Sequence, residues 1–190
     1  MDCALGLDIS TSIIGWSVMP LTAKLGDQPK LMDHIDLRKV KGGFWDKVDT
    51  VQRSVNDLFN DLHQRGISIE KLYIEDPVKR FKSGGSSADT IGLLAKFNCM
   101  VSYFARQRLG YDPVYLDASH ARRTLGIKLT SKAKSGGANQ KEQTFRQLAE
   151  TVFRDVVWPV NRNDNMQPYC YDRVDSYVIV MAGVLGCGEA

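Results

Sequence analysis

Cys3-Ala4-Leu5-Gly6-Leu7-Asp8 is the stretch that decides how this chain folds. Large and small side chains alternate along it, so a strand would carry Cys3, Leu5, Leu7 and Ile9 on one face and Ala4, Gly6 and Asp8 on the other. The polar Ser10-Thr11-Ser12 then predicts a turn, and residues 13–19 a second strand, making a hairpin. A third strand is expected near residues 31–40, after a loop holding Gly26 and Pro29.

Further along, the pattern changes period. Val48, Val51, Val55, Leu58, Phe59 and Leu62 recur at helical spacing, and Gly66 marks the stop. Residues 71–75 read as a strand halted by Asp76-Pro77. A polar, glycine-containing loop over 78–88 leads into a long helix marked by Ile91, Leu94, Phe97, Val101 and Phe104. A short strand over 113–116, a helical turn over 120–125, a loop over 131–140 and a helix over 141–154 come next. A last helix is expected from near Asp172, with Val174, Val178, Met181 and Leu185 on its buried stripe. The order β-β-β-α-β-α-β-α-α-α predicts an α/β fold, a mixed sheet with helices on its faces, built as one domain over residues 1–190.

Composition sets the outer bounds. The 190 residues are 43% hydrophobic and 25% charged, the balance of a globular chain rather than a disordered or fibrous one. Cys3, Cys99, Cys170 and Cys187 form no Cys-x-x-Cys pair and are expected as free thiols acting as small hydrophobes. The start Met1-Asp2-Cys3 shows no basic n-region with an apolar h-region, and the most apolar run, 177–185, is too short to span a bilayer. The expectation is therefore a cytoplasmic protein with no membrane partner. His34, His63 and His120 have no metal-ligand spacing, and Trp16, Trp45 and Trp158 are expected in the core or at its edge.

Four acids stand out by position. Asp8 ends the first strand, Glu75 ends the fourth, and Asp172 and Asp175, spaced i and i+3, open the last helix. An unpaired charge at the end of an apolar strand costs several kcal/mol to bury, roughly, and a divalent cation shared among such groups removes that cost. Hard oxygen donors without clustered His or Cys favour Mg2+ or Mn2+ over Zn2+. Each acid also has a plainer reading: Asp8 as a turn former, Asp172 and Asp175 as helix-capping residues, and Glu75 as an exposed strand end.

Taken in order, the segments resemble a known family. Gly6-Leu7-Asp8 with Gly15-Trp16-Ser17-Val18, then Ile74-Glu75, then Asp172-Arg173-Val174-Asp175-Ser176 resemble the three acidic motifs of RuvC-type Holliday junction resolvases. That resemblance implies a ribonuclease H-like fold with a five-stranded mixed sheet. It further implies a homodimer that resolves four-way or other branched DNA, in a bacterial cell or a virus-infected host. Asp8, Glu75, Asp172 and Asp175 would then hold two Mg2+ ions per site, with Mn2+ able to substitute, for paired phosphodiester hydrolysis. Lys141, opening a helix after a glycine loop, resembles the family's active-site lysine. The family often has Pro-Gly after its first Asp, where this chain has Ile9-Ser10, and the loop after Glu75 is longer here.

Two basic stretches point the same way. Residues 121–141 hold Arg122, Arg123, Lys128, Lys132, Lys134 and Lys141 with no acid, and residues 78–88 add Lys79, Arg80 and Lys82 around Phe81. Both contain glycine pairs that allow a phosphate to approach the backbone closely. All of these except Lys141 are candidate DNA contacts, with Arg122 or Lys128 as a second functional base and Phe81 as either a base-stacking residue or a loop anchor. Competing expectations are a nucleotide-binding domain of the actin–hexokinase type, a ribonuclease H-type nuclease for RNA–DNA hybrids, and a non-catalytic DNA-binding scaffold.

Overall fold

The computed structural model describes residues 1–77, 88–130 and 137–187. Strands β1 (Asp2–Ile9), β2 (Ile13–Pro20) and β3 (Leu31–Asp36) come first. They are followed by α1 (Phe44–Gln64), β4 (Ser68–Glu75), α2 (Ala88–Leu109), β5 (Val114–Leu116), α3 (Ala118–Thr124), α4 (Gly137–Thr151) and α5 (Tyr169–Val184). The order of elements is the one the sequence predicts. The five strands lie side by side as β3-β2-β1-β4-β5, with β1 antiparallel to β2 and parallel to β4. The fold is thus a mixed five-stranded sheet flanked by helices, and β1 is its middle strand.

Ser10 closes the first hairpin. Its hydroxyl donates to the Ile13 carbonyl at 2.8 Å and accepts the Ile13 amide at 3.0 Å, which fixes the turn immediately after Asp8. The alternation read in β1 sorts the molecule into two cores. Cys3, Leu5, Leu7 and Ile9 pack with the apolar stripe of α1 and with Phe97, Val101 and Phe104 of α2. Ala4 faces the other way, with Met19, Tyr73 and the residues of α5. Tyr177 to Gly183 of α5 are buried on every side, so this helix is a central element rather than an amphipathic cover. Leu185, expected on its buried stripe, is instead 39% exposed beyond the helix end.

Helix α5 lies on β1 and β2 because small residues let it. A Cβ on Gly6 would sit 2.5 Å from the Cβ of Val180 and 2.6 Å from the carbonyl oxygen of Ser176, and one on Gly15 would collide with the carbonyl of Asp172. Gly183 similarly meets the ring of Tyr73. Ser17 and Ser176 share a buried hydroxyl hydrogen bond of 2.7 Å across this contact. Backbone therefore packs almost directly on backbone.

Four local expectations need correction. β3 ends at Asp36 rather than running to Val40, because Leu37 turns its amide to the Ser12 carbonyl at 2.8 Å and buries its side chain. α4 begins at Gly137, inside the stretch expected as loop, and α5 begins at Tyr169 with Pro168 at its N-cap. Asp172 is consequently inside the helix, and the capping reading of this residue does not hold. Trp45, expected near the core, is 68% exposed. The cysteines among the described residues are free, with Cys99 exposed. No helix among the described residues is long and apolar enough to cross a membrane.

Candidate active site

Topology alone brings the first two acids together. β1 and β4 run parallel with Leu7 beside Ile74, so their final acids, Asp8 and Glu75, emerge at the same edge of the sheet. Alternation places Asp8 on the face of Ala4 and Gly6, and Glu75 on the face of Tyr73, which is the face α5 covers. The Gly15–Asp172 approach then sets the first turn of α5 over Asp8, whose strand partner is Gly15.

Lys141, from the first part of α4, reaches into this space. Its Nζ donates to Asp8 Oδ2 at 2.8 Å and to Asp172 Oδ1 at 2.5 Å, and lies 3.4 Å from Asp175 Oδ2. Asp8 is 6% exposed and Asp175 2%. Arg122 of α3 donates to Asp175 Oδ1 at 3.2 Å and to Gln140 at 3.4 Å. The side-chain amide of Asn98 in α2 donates to the Glu75 carbonyl at 3.4 Å, tying the end of β4 to α2. Six elements, β1, β4, α2, α3, α4 and α5, thus converge on one cluster.

The electrostatics follow from burial among like charges. Burial, then the charges of Asp8 and Asp175, push the Glu75 carboxyl well above the usual range, with Lys141 and Arg122 opposing. Burial likewise raises Asp175 against the pull of Lys141 and Arg122. Burial works against the Lys141 ammonium, but Asp8, Asp175 and Asp172 outweigh it and hold the group protonated well above the ordinary lysine value. In this arrangement Lys141 is a cation and not a proton acceptor.

Among the described residues no three His, Cys, Asp or Glu side chains are disposed as a ready cage for a metal ion. The reason is visible: the point on which three of the four carboxylates converge holds the Lys141 ammonium. The donor set nevertheless fits a hard divalent cation. Four carboxylates face two bases, leaving a formal excess of two negative charges. Asp175 Oδ2 is buried and makes no hydrogen bond, with the Lys141 ammonium 3.4 Å away, so it is an acceptor that an ion would satisfy.

The predicted DNA contacts separate into three groups. Arg122 is 6% exposed and serves Asp175, so it lies inside the acidic cluster rather than on an outer surface. Arg123 and Lys128 are exposed and border an open cavity of about 600 Å³ with Ile127, Leu129 and Gln140, one wall of which is Arg122. Lys79, Arg80, Phe81, Lys82, Lys132 and Lys134 lie outside the described residues. Sequence reasoning missed Asn98, whose polar group inside a helical stripe of apolar residues was the available signal. It also missed Gly15 and Ser17, which seat the helix carrying Asp172.

No protein-family model matches the sequence, and no curated protein does. Solved structures do match in fold. The architecture is the ribonuclease H-like arrangement of a mixed five-stranded sheet between helices, with its acids at one strand edge. More narrowly, it is the fold of RuvC. The chain is similar to RuvC of T. thermophilus in complex with a Holliday junction substrate, with a TM-score of 0.62 at 10% identity over 95% of this chain and 91% of that one. The structure of Thermus thermophilus RuvC matches with a TM-score of 0.57 at 12% identity over 95% and 92%.

Proposed function

We propose that this protein is a divalent-metal-dependent nuclease of the resolvase type that cuts four-way or other branched DNA. The observation that carries this reading is the convergence of Asp8, Asp172 and Asp175 on the Lys141 ammonium, with Glu75 on the adjoining strand, in a fold shared with RuvC. Asp8, Glu75, Asp172 and Asp175 would hold Mg2+ or Mn2+, two ions in the expected arrangement. When bound, these ions supply the Lewis acidity that phosphodiester hydrolysis requires.

The chain's own groups have separable tasks. Arg122 fixes the carboxylate of Asp175, so that residue enters the site already oriented. Lys141 neutralises the cluster while no other cation is there, then turns its charge toward the scissile phosphate. Arg123 and Lys128 take the flanking phosphates. A branched substrate of two-fold symmetry calls for two equivalent sites, so the working unit is a homodimer.

The test is one gel series with a four-way junction, an RNA–DNA hybrid and a linear duplex, each in Mg2+ and in EDTA. Paired nicks in the junction, dependent on Mg2+, are expected. Asp8→Asn should abolish cleavage and leave junction binding intact. A junction bound but uncut in Mg2+ would overturn the nuclease reading. Preferential cutting of the hybrid would move the protein to ribonuclease H-type chemistry at the same carboxylates.

A further inference from the structure

Between β3 and α1 runs Leu37-Arg38-Lys39-Val40-Lys41-Gly42-Gly43-Phe44-Trp45-Asp46-Lys47, four basic residues against one acid, with a glycine pair and a tryptophan. The fold places this segment beside the acidic cluster. Leu37 donates its amide to Ser12, and the Lys47 ammonium donates to the Thr11 carbonyl at 2.7 Å, both in the turn that follows Asp8. Thr11 is three residues from Asp8, about 11 Å of chain at full extension. On the other side, the Arg38 guanidinium lies 5.9 Å from the ring centroid of Tyr169, one helical turn before Asp172.

The side chains are set for contact. Phe44 is half-buried and packs edge-on to the core ring of Phe97 at 6.1 Å. It meets Trp45 edge-on at 5.2 Å, which leaves the indole outward and 68% exposed. Asp46, the segment's one acid, is turned back on the chain, where its carboxylate accepts the Gly43 amide at 2.7 Å and caps α1. Lys39 and Lys41 are exposed, and neither is held in an ion pair among the described residues. A single exposed apolar side chain is ordinary; an anchored indole among lysines at the rim of a carboxylate cluster has a more specific use.

We infer that the segment from Arg38 to Lys47 is a nucleic-acid-binding element, in which Trp45 stacks on an unpaired base next to the branch point while Lys39 and Lys41 contact the adjoining phosphates. This combination, an aromatic platform flanked by cations, suits single-stranded DNA of any sequence. The inference rests on the nuclease reading and adds a second DNA contact, on the β3 side of the carboxylates, opposite the one bordered by Arg123 and Lys128. It assigns the branched character of the substrate to a residue outside the acidic motifs.

The experiment measures junction affinity by fluorescence anisotropy in an Asp8→Asn background, where the substrate stays uncut. Trp45→Ala should weaken junction binding about 5- to 100-fold, and Trp45→Phe much less, as stacking on a base requires. DNA should quench the tryptophan emission of the parent, and that quench should be lost in Trp45→Phe. Lys39→Gln with Lys41→Gln should lower the slope of log K against log salt by about 1.8 on the duplex arms. Trp45→Ala that binds as tightly as its parent, with DNA quenching unchanged in Trp45→Phe, would overturn the inference. Unchanged DNA affinity with a lower sedimentation mass would overturn it too, in favour of a contact between copies of this chain. A parent that binds no DNA would sink both readings, whereas binding and cleavage that ignore Trp45 would sink this one alone.

Discussion

The two faces of the sheet are built on opposite rules. On the face toward α1 and α2, Leu5, Leu7, Ile9, Ile14 and Ile74 fill the space with large side chains, and the helices stand off at side-chain distance. On the face toward α5, Gly6, Gly15, Ser17 and Ala4 clear the space, and the helix backbone comes down onto the strands. The first face stabilises by apolar burial. The second gives up much of that burial and gains position. It sets two carboxylates of one helix against two strand-end acids from distant parts of the chain. Cavities and clashes are therefore dangerous on different sides of the same strand.

The sharpest way to break this contrast is a pair of substitutions in chemical denaturation. Gly15→Leu adds atoms where the Asp172 carbonyl leaves none and should cost about 3 kcal/mol, the upper range for overpacking. It should also abolish any stabilisation by Mg2+, because Asp172 is displaced with the helix. Leu7→Ala on the opposite face should cost a comparable amount, about 2–5 kcal/mol, through a cavity, yet retain the Mg2+ response of the part that stays folded. If both variants lose or both keep that response, the two faces are not functionally distinct.

A smaller effect appears as a pH dependence confined to the α5 face. The folded Glu75 carboxyl titrates above its unfolded value of about 4.3. Its contribution to stability is thus fully present below pH ~4.3 and is lost as pH rises through the raised folded value. In EDTA the melting temperature should fall with rising pH across that window. Glu75→Gln should flatten the fall and leave the apoprotein more stable at pH 7, with part of the slope remaining from Asp175, which is raised in the same direction. Lys141 keeps its proton throughout, so it adds no slope there. A parallel curve for Glu75→Gln would show that the carboxyl is not strained. The smallest expected effect is Ser17→Ala, about 1 kcal/mol for one buried hydroxyl pair, read as a modest shift in the urea midpoint.

The readable parts of the molecule were those with a short repeat. Alternation in β1 assigned Cys3, Leu5, Leu7 and Ile9 to one core and Asp8 to the other side, and helical spacing found the buried stripe of α1. In α5 the same spacing found Val174, Val178 and Met181, which are buried, but carried the stripe on to the exposed Leu185, and a helix buried all round has no polar face to limit it. Residue type misled at Trp45, expected in the core or at its edge, whose side chain stands in water. Arg122 was visible as a basic residue, but nothing local distinguishes a cation that points out from one that folds in to meet Asp175, fifty-three residues later.

The sequence by itself determined the kind and order of the elements, the alternation that divides the sheet, and which residues carry hard oxygen donors. Each of these depends on neighbours within a few positions, where backbone geometry imposes periods of two and 3.6. Only the tertiary structure decided that Asp8, Asp172 and Asp175 share one ammonium and that Arg122 turns inward. Those outcomes depend on how closely α5 can approach β2, and that distance is set by the missing side chain of Gly15 and not by any acid in the motif.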